Sequence, residues 1–118
     1  MVHARRLFGN RAERQAARFL KAKGMTILAR QFQTRFGEID LVARDGDEVV
    51  FVEVKARRSD AFGAPEESVT ASKLQKIAAV GQQFLDQKRL DHVPFRVDVI
   101  AIITEPALEI RHIVGVGG

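Results

Sequence analysis

Residues 37–43, Gly-Glu-Ile-Asp-Leu-Val-Ala, and residues 49–55, Val-Val-Phe-Val-Glu-Val-Lys, are two apolar, β-branched runs separated by Arg44-Asp45-Gly46-Asp47-Glu48. Strand-forming residues on either side of an Asp-Gly turn specify a β-hairpin. Its polar content is unusual: Asp40, Glu53 and Lys55 stand where a plain core hairpin would carry Val or Ile.

The turn decides what those residues meet. With the loop at Gly46-Asp47, Asp45 faces Glu48 and, counting outward, Asp40 faces Glu53. With the loop at Asp45-Gly46, Asp40 faces Phe51 instead and still shares a side with Glu53. Side chains alternate along a strand, so Glu53 and Lys55 lie on one face. Directly opposed residues have Cβ atoms roughly 4.5–5.5 Å apart. Two carboxylates that close repel each other, and burying them unpaired is costly. A divalent cation is the simplest relief, and the adjacent lysine suits an anionic substrate.

The rest of the chain bounds the setting. Its 118 residues are enough for one domain, residues 1–118, with a real core. About eight N-terminal and about four C-terminal residues are expected to be flexible. The absence of cysteine excludes a disulfide framework, a thiolate zinc site and a cysteine nucleophile. No apolar run approaches the ~18 residues of a membrane helix, and the start lacks a signal-peptide core. A cytoplasmic protein without a membrane partner is the expectation. The net charge of +4 favours a polyanionic partner.

In chain order, residues 9–24 read as a helix ended by Gly24, with an apolar stripe of Ala16, Ala17 and Leu20 widened by Ala12 and Phe19. Glu13 falls on the core side of that helix. It is either a first-turn glutamate favoured by the helix dipole or a carboxylate aimed at the hairpin. Arg5, Arg6, Arg11 and Arg14 make this end basic, as solvated surface or as phosphate contacts. Residues 25–32 form a first strand. Residues 56–68 are the longest irregular stretch, where Arg57 and Arg58 are candidates for backbone phosphates. Residues 70–90 form a second helix capped by Thr70 or Ser72, with Leu74, Ile77, Ala78, Gly81, Phe84 and Leu85 on its core face. Lys73 and Gln75, near its start, are within reach of a phosphate. Residues 95–103 are the most apolar strand, expected to be central in a sheet covered on both faces. Residues 108–114 supply the last strand, and Gly115 to Gly118 should fray. The order α-β-β-β-α-β-β gives a single α/β domain with a mixed sheet flanked by helices.

Several chemistries are excluded. There is no GxGxxG or Walker-type loop, and no organic cofactor is expected. His3, His92 and His112 have no metal-ligand spacing and read as surface residues. No Gly-x-Ser-x-Gly elbow is present. What remains is Asp40 followed by Glu53-Val54-Lys55, a hard-oxygen set suited to Mg²⁺, with Mn²⁺ as a substitute. Lys55 could orient or deprotonate a water, or offset negative charge.

Gly37-Glu38-Ile39-Asp40, Phe51-Val52-Glu53-Val54-Lys55-x-Arg57, and Phe62-Gly63-x-Pro65-x-Glu67-x-Val69 with Lys73 together resemble the YraN-like family of predicted endonucleases. That family falls in the PD-(D/E)xK superfamily, with a restriction-endonuclease-like fold. Arg96-x-Asp98 fits the family's late RxD strand. Ala12 replaces the family's usual glycine before Glu13, and Ile39 stands where the superfamily's name has proline. The resemblance implies metal binding by Asp40, Glu53 and the Val54 carbonyl, a catalytic Lys55, and a Glu13 that joins the metal site as in archaeal Holliday-junction resolvases. It also implies a DNA substrate, branched or junction DNA among the candidates, and a homodimer. The competing expectation is a basic nucleic-acid-binding or adaptor module with this fold and little catalysis. With eight Phe and no Tyr or Trp, mostly at core-like positions, recognition through Arg and Lys is expected over base stacking.

Overall fold

The structure is a computed structural model that describes residues 4–61 and 63–117, with side chains described from Asn10 onward. Helix α1 (Ala4–Ala22) is followed by strands β1 (Thr26–Thr34), β2 (Gly37–Asp45) and β3 (Glu48–Arg57). A 3₁₀ turn at Pro65–Ser68 leads to helix α2 (Ala71–Gln87), then β4 (Phe95–Ile103) and β5 (Glu109–Ile113). The five strands form one sheet in sequence order, antiparallel except for the parallel β3–β4 pair. A parallel pair needs a crossover, and α2 supplies it. The fold is the α-β-β-β-α-β-β mixed sheet expected from the sequence. β3 is its middle strand, and β4, expected to be central, lies one place further out.

Each helix covers one face. Ala12, Ala16, Ala17 and Leu20 of α1 pack on Leu41, Ala43, Val50, Val52, Ile100 and Ile102. Ile77, Val80, Phe84 and Leu85 of α2 pack on Ile39, Val42, Val49, Phe51 and Val97. The three inner strands, β2, β3 and β4, are thus buried on both sides, which is why they read as nearly continuous apolar runs, whereas the edge strands β1 and β5 are half-exposed. Alternation breaks in β1 at the bulge between Ile27 and Ala29, and in β2 between Ile39 and Val42, which both face α2. At that place Gln31 of β1 adopts a left-handed conformation (φ 50°), between the pairs Arg30–Leu41 and Phe32–Ile39. Asp40 sits in this irregularity.

Gly81 lets α2 approach β3 closely. A Cβ there would lie 2.5–2.8 Å from three ring atoms of Phe51, which is fully buried. Gly81→Ala should therefore destabilise the fold by about 1–3 kcal/mol, despite alanine's better helix propensity. Denaturant unfolding checks this; an unchanged or raised midpoint would show that the helix can shift away without loss.

Element ends differ from the sequence reading in places. α1 begins at Ala4, five residues earlier than expected, and Gly24 (φ 93°) follows its end with Met25 N–H donating to the Leu20 carbonyl. α2 starts after Thr70, whose hydroxyl accepts from the Lys73 N–H, and ends at Gln87. Ala56 and Arg57 belong to β3, and residues 65–68 are the 3₁₀ turn, so the irregular segment is shorter than expected. At the C-terminus Gly115 N–H donates to Asp98, and Val116 N–H to the Val97 carbonyl. His3, Phe62, Gly118 and the side chains of Arg5 and Arg6 lie outside the described residues.

Candidate metal-binding and catalytic site

The hairpin turns at Gly46-Asp47. Asp45 pairs with Glu48, and the ladder runs outward to Leu41–Val52. Gly46 has φ 60° whereas Asp47 stays in the ordinary negative region, the pattern of a type II′ turn. Of the two registers open to the sequence, this is the one that puts Asp40 and Glu53 on the next rung. There the ladder changes character: Asp40 Oδ2 accepts the Val54 N–H at 2.8 Å. The carboxylate takes a place that a strand carbonyl would otherwise hold.

Arg96 holds that register. Its guanidinium donates to Glu48 at 2.7 Å, to Asp45 at 3.0 Å, and to Asp98 through two nitrogens at 3.0 and 3.2 Å. The two residues flanking the turn are thereby clamped to β4. Asp98 is fully buried and also accepts from Gly115 N–H and contacts His112 at 2.8 Å. Burial works against its charge, but Arg96, Gly115 and His112 outweigh it and hold the carboxyl below its usual range. His112 is not the surface histidine expected: its side chain is 3% exposed, between Asp98 and Lys23, whose Nζ is 2.8 Å from Nδ1. An outer strand need not be exposed: α1 covers this face of β5, where the Phe19 ring meets His112 edge-on.

A cleft of about 280 Å³ opens where Asp40 and Glu53 meet, lined also by Phe36, Glu38, Lys73 and Lys76. Glu53 is buried, with Lys73 Nζ at 3.1 Å and Lys55 Nζ at 3.5 Å from the same oxygen. Burial, reinforced by Glu53, pushes the Asp40 carboxyl up to about 7, against the Val54 N–H. Lys55 is lowered from the usual lysine range by burial and by neighbouring Lys73, with Glu53 acting the other way. Lys73 itself is raised: burial opposes its charge, but Lys55 and Glu53 prevail. One ammonium therefore gives up its proton more readily than the other. A buried lysine with a depressed pKa can serve as a base.

The structure assembles part of the expected set. Asp40 and Glu53 share the cleft, and Lys55 joins through Glu53. Lys73, expected at a phosphate, contacts Glu53 instead while remaining partly exposed. Glu13 accepts from Gln31 at 3.1 Å and lines an adjoining groove with Asn10, Arg14, Arg30 and Gln31. Burial raises its carboxyl, opposed by Gln31 and reinforced by Glu38. Among the described residues no three His, Cys, Asp or Glu side chains converge closely enough to hold one ion. The negative charge of Glu13 opposes ionisation of Asp40, but Glu13 lines the adjoining groove and not the cleft that holds Asp40 and Glu53.

The donor set present still suits Mg²⁺, which binds through one or two carboxylates and keeps several waters. A residue's N–H and C=O leave the same edge of a strand. Since the Val54 N–H points at Asp40, its carbonyl faces the same unpaired edge, beyond the last β2–β3 pair. Three carboxylates, Glu38, Asp40 and Glu53, thus line the cleft, with the Val54 carbonyl on the strand edge beside Asp40.

The expected phosphate contacts divide. Arg57 and Arg58 are exposed where β3 ends, two and three positions past Lys55, and Arg11 is exposed on α1. Gln75 lines a different groove of about 490 Å³, with Phe95, Val97 and Val116, and is not part of the acidic cleft. On a helix Lys76 follows Lys73 by one turn, and that spacing is the signal that could have placed it in the cleft.

Two of the relatives are proteins described as UPF0102 proteins from Syntrophus aciditrophicus, 45% identical over 98 residues, and Hahella chejuensis, 47% identical over 92 residues. These alignments cover 83% and 78% of this chain and 77% and 74% of the relatives. A UPF0102 protein of Beutenbergia cavernae is 39% identical over 118 residues, covering 98% of this chain and all of that one. The model of the family described as "Uncharacterised protein family UPF0102" matches residues 12–102, from the start of the buried α1 stripe to the last residue but one of β4. The chain belongs to the UPF0102 family.

Proposed function

We propose that this chain is a metal-dependent endonuclease that hydrolyses phosphodiester bonds in DNA, with branched or junction DNA as the favoured class. The observation that carries this reading is the meeting of Asp40 and Glu53 in one cleft beside two lysines, at an unpaired strand edge. It agrees with the resemblance to PD-(D/E)xK nucleases in Asp40, Glu53 and Lys55.

Asp40, Glu53 and the Val54 carbonyl are the groups that would hold Mg²⁺ or Mn²⁺. Once bound, the ion would acidify a water and offset charge on the phosphodiester. Lys55, with its lowered proton affinity, would orient the attacking water and take its proton. Lys73 keeps Glu53 oriented and supplies positive charge at the cleft mouth. Arg57, Arg58 and Arg11 would contact backbone phosphates and set affinity without reading sequence. Glu13 adds negative charge from the adjoining groove. Paired cuts across a junction would further require a homodimer, and a chromosomal substrate would put the enzyme in the cytoplasm.

A second reading is a nucleic-acid-binding or adaptor module with little catalysis. It is favoured by the engagement of Glu53 with two ammoniums and by the place of Glu13 in the adjoining groove. Cleavage of branched, flapped and linear DNA in Mg²⁺ or Mn²⁺ distinguishes the two, with RNA as a parallel substrate. Wild type should cut, and Glu53→Ala and Lys55→Ala should each be slower by about 10²–10³-fold. Binding without cleavage in either metal would leave the module reading; variants as active as wild type would refute the residue roles.

A further inference from the structure

The β1–β2 hairpin turns through Arg35 and Phe36, with Thr34 paired to Gly37. Phe36 is 51% exposed, unlike the core phenylalanines Phe51 and Phe84. The Arg35 guanidinium lies over its ring, 4.9 Å from the centroid, and the Phe36 N–H donates to the Thr34 hydroxyl at 3.1 Å. The tip is therefore a defined turn carrying an aromatic–cation stack, and its ring lines the same cleft as Asp40, Glu53 and Lys73. A half-exposed phenylalanine adds little to folding, and single exposed apolar residues are common on proteins. The position of this one, on the wall of a cleft that also carries Lys73 and Lys76, gives it a further property. Cationic groups that attract a phosphate backbone lie beside an aromatic surface on which a base can stack.

We propose that Phe36 and Arg35 form a stacking site for an unpaired nucleobase adjoining the phosphodiester held in the cleft. This deepens the nuclease reading, on which it rests, by naming what the site selects: a nucleotide out of the double helix. In a duplex the bases stack on one another, and freeing one takes a few kcal/mol; at a branch point, flap or single strand that step is already complete. The aromatic ring is tolerant of base identity, since every base has a π-face, so the selection is for structure and not sequence. Lys73 and Lys76 supply the charge that draws in the backbone, and the ring decides which backbones lie productively. Arg35 would extend the stack from the other side of the ring, as guanidinium planes do on aromatic faces.

The chain contains no tryptophan or tyrosine, so Phe36→Trp introduces a single fluorophore at the tip. The experiment titrates this variant, the wild type and Phe36→Ala with short oligothymidylate, oligouridylate and a blunt DNA duplex, in Ca²⁺ to suppress cleavage, reading anisotropy of labelled oligonucleotide and tryptophan emission. The expected result is strong quenching of the tryptophan by single strands, and affinity for single strands about 5- to 100-fold weaker in Phe36→Ala, with duplex affinity little changed. The DNA and RNA arms show which sugar the site accepts. Tight binding of single strands by all three proteins without quenching would overturn the stacking site alone. Failure of wild type to bind any oligonucleotide would overturn both this site and the nucleic-acid reading beneath it. Phe36→Ala alters an exposed turn, and unchanged thermal unfolding would exclude a folding defect as the cause of weaker binding.

Discussion

Asp40→Asn should make the protein more stable at about pH 8 while removing the metal-dependent cleavage proposed for the site. The Asp40 carboxyl is held near 7, well above its ordinary value, first by burial and then by Glu53. The folded state therefore keeps a proton that the unfolded chain releases between about pH 4 and pH 7, and stability declines as pH rises through that window. Above it the ionised carboxylate opposes folding in full. A shift of this size corresponds to at most about 4 kcal/mol, and partial solvent access reduces it to about 1–3 kcal/mol. Asparagine removes the charge and retains an oxygen that can accept the Val54 N–H. In chelator-treated protein the variant should melt higher than wild type at about pH 8, with the difference vanishing near pH 4. Adding Mg²⁺ should raise the melting temperature of wild type and leave the variant unmoved. On the proposed mechanism, cleavage by the variant should fall by about 10³-fold or more, since one of the two carboxylates assigned to the metal is lost. A variant less stable than wild type at about pH 8 would mean that Asp40 is compensated by charge the structure does not reveal. Such opposition between stability and activity is common where a site concentrates like charges.

Arg96→Met should be strongly destabilising although it lies away from the cleft, by about 3–5 kcal/mol. It leaves Asp98, which is fully buried, without the guanidinium that offsets its desolvation. It also releases Asp45 and Glu48 from β4. Asp98 is held below its usual pKa in the folded state, so its contribution is present at neutral pH and is lost as pH falls through the acid range. Wild type and Arg96→Met should therefore converge in stability as the buffer is acidified. The double variant Arg96→Met/Asp98→Asn should recover part of the loss, because no unpaired charge is then buried. Loss of the same size at every pH, with no recovery in the double variant, would assign the effect to packing of the arginine stem instead. In variants that remain folded, slower cleavage would follow from a hairpin free to shift register. A shift by one residue would turn Asp40 away from Glu53.

The sequence by itself determined the element order, the two helix faces and the hairpin, because hydrophobic periodicity and turn chemistry act locally. It also singled out Asp40, Glu53 and Lys55 as the candidate site, since the chain lacks cysteine and any nucleotide-binding glycine loop. It left two registers open at Asp45–Asp47. The tertiary structure chose between them through Arg96, which lies 48 residues beyond Glu48 and reaches the turn only because β4 runs parallel to β3. Lys73 contacts Glu53 and His112 is buried for the same reason: each depends on which face a distant helix covers. Gln75 and Lys73, two positions apart, were given one role by the sequence. On a helix such residues point about 200° apart, and the fold put only Lys73 in the cleft. Glu13 was legible as a residue on the core side of α1, but its partner was not. Gln31, in a left-handed kink of β1, holds it in the neighbouring groove, and no periodicity announces that kink.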